Sequence, residues 1–404
     1  MAESIRFTRR QVSGLALGLA AATAPNLFTS LAWAAKAYDT GATDTEIKIG
    51  QPVPYSGPVS FYGAIGKTTL GYFRMLNEEQ GGIKGRKITV ISLDDGYEPE
   101  KTIEATKKLI TEEKVFALVG AVGTPTSKAG QPIATEAKVP FIGPFTGAEF
   151  LRSPYNRYVV NVRCSYFQET EAWIEHLTKD LGISKIAILY QDDAFGLAGL
   201  EGVRIALAKR NMSLVASGTF RRNTTAIKSA LLDIMKAKPQ AVVTVGPYKP
   251  IAEFVKLARQ QKFDPVFVAI SFVGSDALAH ELGGSGSGVI VSQVVPFPGD
   301  ASIPVVAAYQ LAMKALSPRS KPGFVSLEGY LVGRLVVETL KRTPDEPSRE
   351  AFLDQFAKGD FDLGGVILNY MPSKNQGMNQ VFFTVLQSDG SFRPVTQLLK
   401  TTRR

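Results

Sequence analysis

The chain of 404 residues has one cysteine and two histidines, too few to build the commonest metal and nucleophile sites. Cys164 has no second cysteine to pair with, so the chain can form no internal disulfide. A zinc site of histidines and cysteines, or a cysteine–histidine catalytic pair, is a poor fit to this composition. The sequence also contains neither a G-x-S-x-G nor an H-E-x-x-H motif. We therefore expect no catalysis, no metal and no cofactor.

Long basic runs are missing as well. The formal net charge is +9, but the Lys and Arg residues are dispersed and are not interleaved with aromatics. Nucleic-acid binding usually requires a concentrated basic patch, so we expect no nucleic-acid partner.

A phosphate-binding loop is also incomplete. Gly66-Lys67-Thr68 ends as that motif requires, but Phe61 stands where its first glycine belongs.

Residues 1–37 have the pattern of an export signal. The pair Arg9-Arg10 precedes an apolar stretch at 12–24, and small residues follow up to Ala37. The apolar stretch is too short to span a membrane, and the arginine pair indicates the twin-arginine route. We expect cleavage after Ala37 and a mature protein located in the periplasm.

Short apolar runs alternate with amphipathic stretches through the rest of the chain. Runs of strand length at 87–95 and 115–120 flank a helix-like segment, and the same rhythm restarts after Tyr166. This alternation predicts parallel sheets with helices on both faces, the doubly wound α/β class. The region 301–358 is predicted to be mostly helical, and 365–387 to hold two further strands.

Three hydroxyl residues in "VGAVGTPTSKAG" (119–130) stand where a strand gives way to a helix. They are Thr124, Thr126 and Ser127. Exposed N–H groups at the start of a helix favour a carboxylate, and nearby hydroxyls add hydrogen bonds to it. The same residue types are also ordinary N-caps. Spacing alone gives these two interpretations equal weight.

Aromatic residues follow predicted strands in both halves of the chain. Tyr62 lies in "PYSGPVSFYG" (54–63), Tyr248 follows a strand in "VGPYKP", and Tyr166 stands near the middle of the chain. The stretch "GPFTGAEFLR" (143–152) adds a ring and a hydroxyl after another strand. Ligands of open α/β sheets bind beyond the carboxyl ends of strands, so these residues predict a cleft between two sheets.

Two acidic pairs also follow strands, at similar places in the two halves. They are Asp94-Asp95 and Asp192-Asp193. Paired carboxylates can serve as a general acid and base. We interpret these pairs instead as solvated loop acids that cap the next helix.

Taken in order, several motifs resemble those of a known family. "SGPVSFYG", "VGAVGTPTS", "GPFTGAEFLR", "YQDDAFG", "VGPYKP" and "KPGFVSLEGY" are similar to motifs of periplasmic substrate-binding proteins of branched-chain amino acid ABC transporters, the leucine/isoleucine/valine-binding protein family. The resemblance covers about 45–395. It implies a Venus-flytrap, or type I periplasmic binding, fold: two doubly wound parallel-sheet lobes joined by a three-segment hinge.

The resemblance also implies how the chain divides. One lobe is expected at 45–164 plus 297–375, and the other at 165–296 plus 376–404. The three crossings between the lobes are expected near 163–166, 293–297 and 374–379.

Ligand contacts are implied at the positions that match the family's motifs. Thr124 and Thr146 match residues of the two ligand loops, and Thr124 matches the hydroxyl that binds the ligand carboxylate. The Pro144 carbonyl falls where the family accepts a hydrogen bond from the ligand amine. Gly123 would let the ligand approach the backbone closely. The aromatic residues expected at the pocket are Tyr62, Phe145, Tyr166, Tyr248 and Phe324.

Two positions depart from the family pattern. Ser271 falls where the family has the acid that pairs with the ligand ammonium. A buried ammonium without a counter-charge is costly, so either another acid serves or the ligand is not an α-amino acid. The family's disulfide in the first lobe is also excluded, because Tyr97 occupies one of its cysteine positions.

These expectations combine into one function. The chain is expected to be a monomeric solute-binding protein that captures a hydrophobic or branched-chain amino acid, or a related organic acid. It would deliver this small-molecule ligand to the membrane permease of an ABC importer. Two alternatives stay open: a ligand-sensing module for a receptor, and a binder of aromatic carboxylates or amides instead of amino acids.

Overall fold

The computed structural model describes residues 38–316 and 321–399. The export signal predicted at 1–37 lies outside the described residues. In the part of the chain that is described, no helix combines the length and apolar character needed to cross a membrane.

Five parallel strands form the first sheet: β1 (Glu46–Val53), β2 (Lys87–Asp94), β3 (Ala117–Val119), β4 (Phe141–Ile142) and β5 (Val159–Val160). Their order across the sheet is β2-β1-β3-β4-β5. The helices between them are α1 (Ala64–Gln80), α2 (Pro99–Thr111) and α3 (Thr124–Glu136). Proline in the first turn of α2 and of α3 suits a helix start, because those positions need no backbone donor.

A second series of parallel strands follows: β6 (Ile186–Gln191), β7 (Ala216–Phe220), β8 (Ala241–Val245), β9 (Val266–Ala269) and β10 (Ile290–Gln293). Its helices are α4 (Tyr166–Lys179), α5 (Ala194–Ala208), α6 (Lys228–Lys236), α7 (Tyr248–Gln260) and α8 (Ser275–Leu282). Ser165 and Gln168 form a capping box at the start of α4. The predicted restart of the α/β rhythm after Tyr166 is therefore confirmed.

The C-terminal part adds helices to the first sheet and strands to the second. Its helices are α9 (Pro304–Leu316), α10 (Phe324–Arg342) and α11 (Arg349–Asp354), which confirms the helical character predicted for 301–358. A short hairpin of β11 (Phe361–Asp362) and β12 (Ile367–Leu368) follows. Then β13 (Phe382–Leu386) and β14 (Phe392–Val395) pair antiparallel beside β10. The sequence predicted β12 and β13 but missed β14. The order of the second sheet is β14-β13-β10-β9-β8-β6-β7.

Apolar side chains cover both faces of the first sheet. One cluster joins β1 to α1, α9 and α10, and a smaller cluster around Leu109 and Phe141 covers the opposite face. The cluster of the second sheet extends beyond its own strands and includes Tyr62 and Phe145 from loops of the first sheet. The two sheets therefore share an apolar contact at the carboxyl ends of their parallel strands.

Two passages between the sheets lie side by side. The backbone N–H of Asn161 donates to Asn375 at 2.7 Å, and the N–H of Met378 donates to Val162 at 2.9 Å. These bonds join the segment after β5 to the segment before β13. The lobe boundaries given above remain a prediction.

Candidate functional site

Three hydroxyl groups converge where the two sheets meet. Thr124 begins α3, Thr146 follows β4 and Tyr166 begins α4. The oxygens of Thr124 and Thr146 lie 2.6 Å apart, and the Thr146 hydroxyl lies 3.3 Å from that of Tyr166. All three side chains are fully buried. We call them the hydroxyl triad, and a carboxylate could accept a hydrogen bond from each of them.

Thr124 is not the N-cap of α3. Gly123 occupies that position and offers no side-chain cap, while the Thr124 hydroxyl bonds to Thr146. The Thr126 hydroxyl instead donates back to the backbone carbonyls of Val122 and Gly123. The structure therefore separates the two interpretations left open by the sequence: Thr126 stabilises the helix start, and Thr124 faces a neighbouring loop.

Gly123 is required by the local backbone. Its φ is +104°, and a Cβ built on it would lie 2.3 Å from Cε2 of Tyr97. Only glycine adopts this conformation readily and leaves room for the ring. The close approach seen here is that of the Tyr97 side chain to the backbone.

Aromatic rings surround the triad, each placed just after a strand or at the start of a helix. Tyr62 lies at the centre, with ring centroids 4.9 Å from Phe272, 5.6 Å from Tyr248 and 5.7 Å from Phe145. Tyr97 and Phe195 also contact Phe272, and Phe195 contacts the triad member Tyr166. We call this group the aromatic cage: Tyr62, Tyr97, Phe145, Tyr166, Phe195, Tyr248 and Phe272.

The cage combines predicted and unpredicted residues. Tyr62, Phe145, Tyr166 and Tyr248 were expected at the pocket, and the structure brings all four together. Tyr97, Phe195 and Phe272 were missed, although each follows a strand as the other rings do. Phe324 was also expected at the pocket but packs elsewhere: its ring contacts Phe297 and Phe392, because it belongs to the apolar cluster that joins α9 and α10 to the first sheet. Pro144 precedes the cage ring Phe145, and its carbonyl accepts a hydrogen bond from the N–H of Thr146.

Buried charges lie next to the cage. Arg163 makes two hydrogen bonds of 2.7 Å to the two oxygens of Glu328, and its guanidinium lies 4.3 Å from the centroid of the Phe145 ring. Arg163 also donates to the Ser271 hydroxyl at 3.1 Å. The side chains of Arg163 and Glu328 are 1% and 3% exposed, so water screens this pair very little.

Ser271 connects this ion pair to a second buried acid, Glu169. The Ser271 hydroxyl and backbone N–H donate to Glu169 at 2.8 and 3.0 Å, and Ser292 donates to it at 2.6 Å. Burial raises the pKa of the Glu169 carboxyl, an effect that nearby Arg163 and the serine donors oppose. We call Arg163, Glu328, Ser271, Glu169 and Ser292 the buried ionic network.

Several contacts join the two sides of the site directly. The Tyr62 hydroxyl donates to the Val273 carbonyl at 3.1 Å, and the Tyr248 hydroxyl donates to the Pro58 carbonyl at 2.9 Å. Nearer the surface, Glu98 accepts hydrogen bonds from Arg222 at 3.1 Å and Asn223 at 2.6 Å. Loops of both sheets therefore enclose the triad and the cage.

The acidic pairs behave differently from one another. Asp193 accepts a hydrogen bond from the N–H of Phe195 and caps α5, as the sequence predicted. The expectation of a solvated acid is wrong for Asp95, which is fully buried. Asp95 accepts hydrogen bonds from the N–H of Tyr97 and the hydroxyl of Thr102. It therefore fixes the backbone beside the cage.

Asp95 makes stability depend on pH. Burial raises the pKa of its carboxyl to about 6, although the donors Tyr97 and Thr102 oppose the shift. The folded state thus holds a proton that the unfolded chain releases near pH 4. The free energy of unfolding should fall as pH rises from about 4 to about 6. Asp95→Asn should make the free energy of unfolding less dependent on pH. We expect its decrease between pH 4.5 and pH 7.5, measured by urea unfolding, to be about 1–3 kcal/mol smaller in this variant.

Asp192→Asn is the matched control for that experiment. Asp192 is exposed and follows β6, at the place in the second sheet that corresponds to the acidic pair after β2. This variant should keep the pH profile of the original chain. An Asp95→Asn profile parallel to that of the original chain would contradict a buried, protonated Asp95.

No group of three or more histidine, cysteine, aspartate or glutamate side chains in 38–316 and 321–399 is arranged to hold a metal ion.

The sequence of this chain is similar to that of known proteins. A family model described as periplasmic binding protein matches residues 46–391. The Leu/Ile/Val-binding protein homolog 7 of Brucella suis is 22% identical over 253 residues, which cover 59% of this chain. The match spans 63% of the length of that relative.

Solved structures match over more of the chain. A possible leucine/isoleucine/valine-binding protein from Rhodopirellula baltica is 35% identical and has a TM-score of 0.83, covering 87% of this chain and 97% of that one. A branched-chain amino acid ABC transporter structure from Thermus thermophilus, with bound valine, has a TM-score of 0.78 at 17% identity and covers 89% and 98%. At that identity the second likeness shows the fold. These matches confirm the predicted two-sheet α/β fold class.

Proposed function

Because the chain belongs to the periplasmic binding protein family, we propose that it captures a small apolar organic acid or amino acid between its two sheets. The observation that carries the proposal is the convergence of the hydroxyl triad inside the aromatic cage. We further propose that the protein acts in the periplasm as a monomer and delivers its ligand to the permease of an ABC importer.

The hydroxyl triad and the aromatic cage would bind different parts of the ligand. The hydroxyls of Thr124, Thr146 and Tyr166 would donate to the ligand carboxylate in place of their mutual hydrogen bonds. The apolar part of the ligand would contact the aromatic rings, which offer large apolar area. Binding a ligand between the two sides favours the closed arrangement only to the extent that the ligand binds that arrangement better.

The contacts across the site support such closure. Tyr62 and Tyr248 each donate from one side of the site to a backbone carbonyl on the other. In the proposed function, the closed and loaded form would dock on the permease and reopen there. Hydrogen bonds of this kind contribute about 0.5–1.5 kcal/mol each, weak enough to be reversed.

A thermal-shift screen tests ligand capture. Purified protein is heated with amino acids, apolar and aromatic monocarboxylates, dicarboxylates and amides. A ligand at 100 times its Kd should stabilise the folded state by about 2.7 kcal/mol and raise the melting temperature. If no small carboxylate raises it, the proposed function is wrong. Uptake of the identified ligand by cells with and without the gene then tests delivery to an importer.

Thr124→Ala should weaken binding of the ligand found in that screen by about 1–3 kcal/mol, because a buried donor to the carboxylate is lost. Titration calorimetry measures the change. Thr126→Ala is the matched control in the same helical turn, because its hydroxyl serves only backbone carbonyls. Equal affinities for the Thr124→Ala variant and the original chain would remove Thr124 from the site.

A further inference from the structure

Glu98 makes a polar contact across the gap between the two sheets, outside the triad and the cage. It is the N-cap residue of α2, on the side of the first sheet, but its side chain makes no capping hydrogen bond. One carboxylate oxygen accepts from Arg222 at 3.1 Å, and the other accepts from Asn223 at 2.6 Å. Both donors lie in the loop after β7 of the second sheet. We call Glu98, Arg222 and Asn223 the polar latch.

Arg222 has a second acid within reach. One of its terminal nitrogens lies 3.8 Å from an oxygen of Asp193, the residue that caps α5. Asp193 and Arg222 both belong to the second sheet, so this contact does not require the two sheets to meet. Arginine has five N–H donors and can serve two acids. If the sheets move apart, Arg222 loses Glu98 but keeps a negative neighbour.

Asn223 makes the contact costly as well as favourable. Its φ is +59°, in the left-handed region that asparagine adopts more readily than most residues. Its side-chain nitrogen donates to Glu98, while its Oδ1 atom is buried and has no hydrogen-bond partner among the described residues. A buried acceptor without a donor lowers stability. Separation of the sheets would expose this oxygen to water and relieve the cost.

The charges of the polar latch are only partly shielded from water. The side chains of Arg222 and Glu98 are 25% and 37% exposed, in contrast to the buried Arg163–Glu328 pair. Partly exposed ion pairs contribute little to stability and are screened by salt. A contact of this strength can shift the balance between two arrangements of the sheets without fixing either one.

We infer that the polar latch holds the two sheets together near the surface, and that its strength determines how readily the site opens. With the sheets together, Arg222 and Asn223 bond to Glu98. With the sheets apart, Arg222 bonds to Asp193 alone. Glu98 and Arg222 are positioning residues, because they act through the arrangement of the two sheets. The latch acts with or without a ligand, so the inference goes beyond the proposed function.

Distances between the two sides test the latch in the protein without ligand. Spin labels are attached through Lys107→Cys on α2 and Lys236→Cys on α6, which are exposed positions, whereas the native Cys164 is buried. Pulsed electron paramagnetic resonance measures the distance distribution between the labels. Glu98→Gln removes the charge of the latch and keeps the side-chain shape. We expect it to increase the population at longer distances at least about twofold.

Glu100→Gln is the matched control, because Glu100 is an exposed acid in the first turn of the same helix. It should leave the distance distribution unchanged. Added salt should move the distribution of the labelled original chain towards that of Glu98→Gln, since exposed charges are screened. A Glu98→Gln distribution equal to that of the labelled original chain would overturn the inference.

A double-mutant cycle tests whether Glu98 and Arg222 act as one unit. Arg222→Met should also increase the population at longer distances, and the Glu98→Gln, Arg222→Met variant should add little to either single change. Fully additive effects would contradict the pairing. None of these measurements uses a ligand. Failure of the thermal-shift screen would therefore overturn the proposed function alone, and an unchanged distance distribution would overturn the latch alone.

Discussion

Replacing Glu328 with alanine should lower the free energy of unfolding by about 3–5 kcal/mol, because the change leaves a buried charge uncompensated. Arg163 makes both of its shortest hydrogen bonds to this carboxylate, and its side chain is 1% exposed. Without Glu328, the guanidinium would keep its hydrogen bond to Ser271, its contact with the Phe145 ring and its attraction to the Glu169 carboxylate, but no directly bonded acid. Urea unfolding followed by circular dichroism measures the loss.

Glu78→Ala is the control for that measurement. Glu78 pairs with Arg74 on the exposed face of α1, and both side chains are more than half exposed. Exposed pairs of this kind contribute little to stability, so the unfolding midpoint should stay near that of the original chain. The double variant Arg163→Met, Glu328→Leu should recover much of the loss, since apolar side chains of similar volume can replace a buried pair. Equal losses in the single and double variants would contradict this account.

Replacing Tyr62 with alanine should weaken ligand binding by about 2–4 kcal/mol, the range of an interface hot spot. The ring contacts Phe145, Tyr248 and Phe272, which places it at the centre of the cage. Its hydroxyl also joins the two sides of the site through Val273. Titration calorimetry with the tightest ligand of the thermal-shift screen measures the change.

Two further variants separate the effect of the Tyr62 ring on binding from that of its hydroxyl and from a general loss of stability. Tyr62→Phe removes only the bond to Val273, so we expect a loss of about 0.5–1.5 kcal/mol in binding. Tyr72→Ala removes a buried ring of α1 that packs on Tyr330, outside the cage. It should reduce stability and leave affinity unchanged. A Tyr62→Ala protein with the affinity of the original chain would show that the cage does not hold the ligand.

The sequence predicted those features that depend on local order along the chain. Alternating apolar and amphipathic stretches predicted both series of parallel strands except the two-residue β5, because each longer strand and helix is a local pattern. The resemblance to the family's motifs implied Thr124, Thr146 and Tyr166 as contacts of one ligand, and the structure places their hydroxyls together.

Features that depend on distant partners escaped prediction. Arg163 and Glu328 are 165 positions apart in the chain, and nothing near either residue indicates the other. Glu169 resembles any acid in the first turn of a helix until Ser271 and Ser292 approach it from β9 and β10. Asp95 was assigned to the surface for a different reason: the sequence does not show that the loop after β2 turns so that Tyr97 and Thr102 donate to a buried carboxylate.

β14 was missed because of its composition. Its four residues, "FRPV", contain a charge and a proline, and the strand is only partly buried at the edge of the sheet. Proline and charge are typical of edge strands, which therefore lack the apolar pattern used to find central strands.

The central claim is that the hydroxyl triad and the aromatic cage hold a small carboxylate between the two sheets. One thermal-shift measurement tests it most directly: the same panel of small carboxylates applied to the original chain and to the Thr124→Ala, Thr146→Ala variant. We predict that at least one apolar carboxylate raises the melting temperature of the original chain, and that the variant loses this shift. A shift of equal size in both proteins, or no shift in the original chain, would contradict the account.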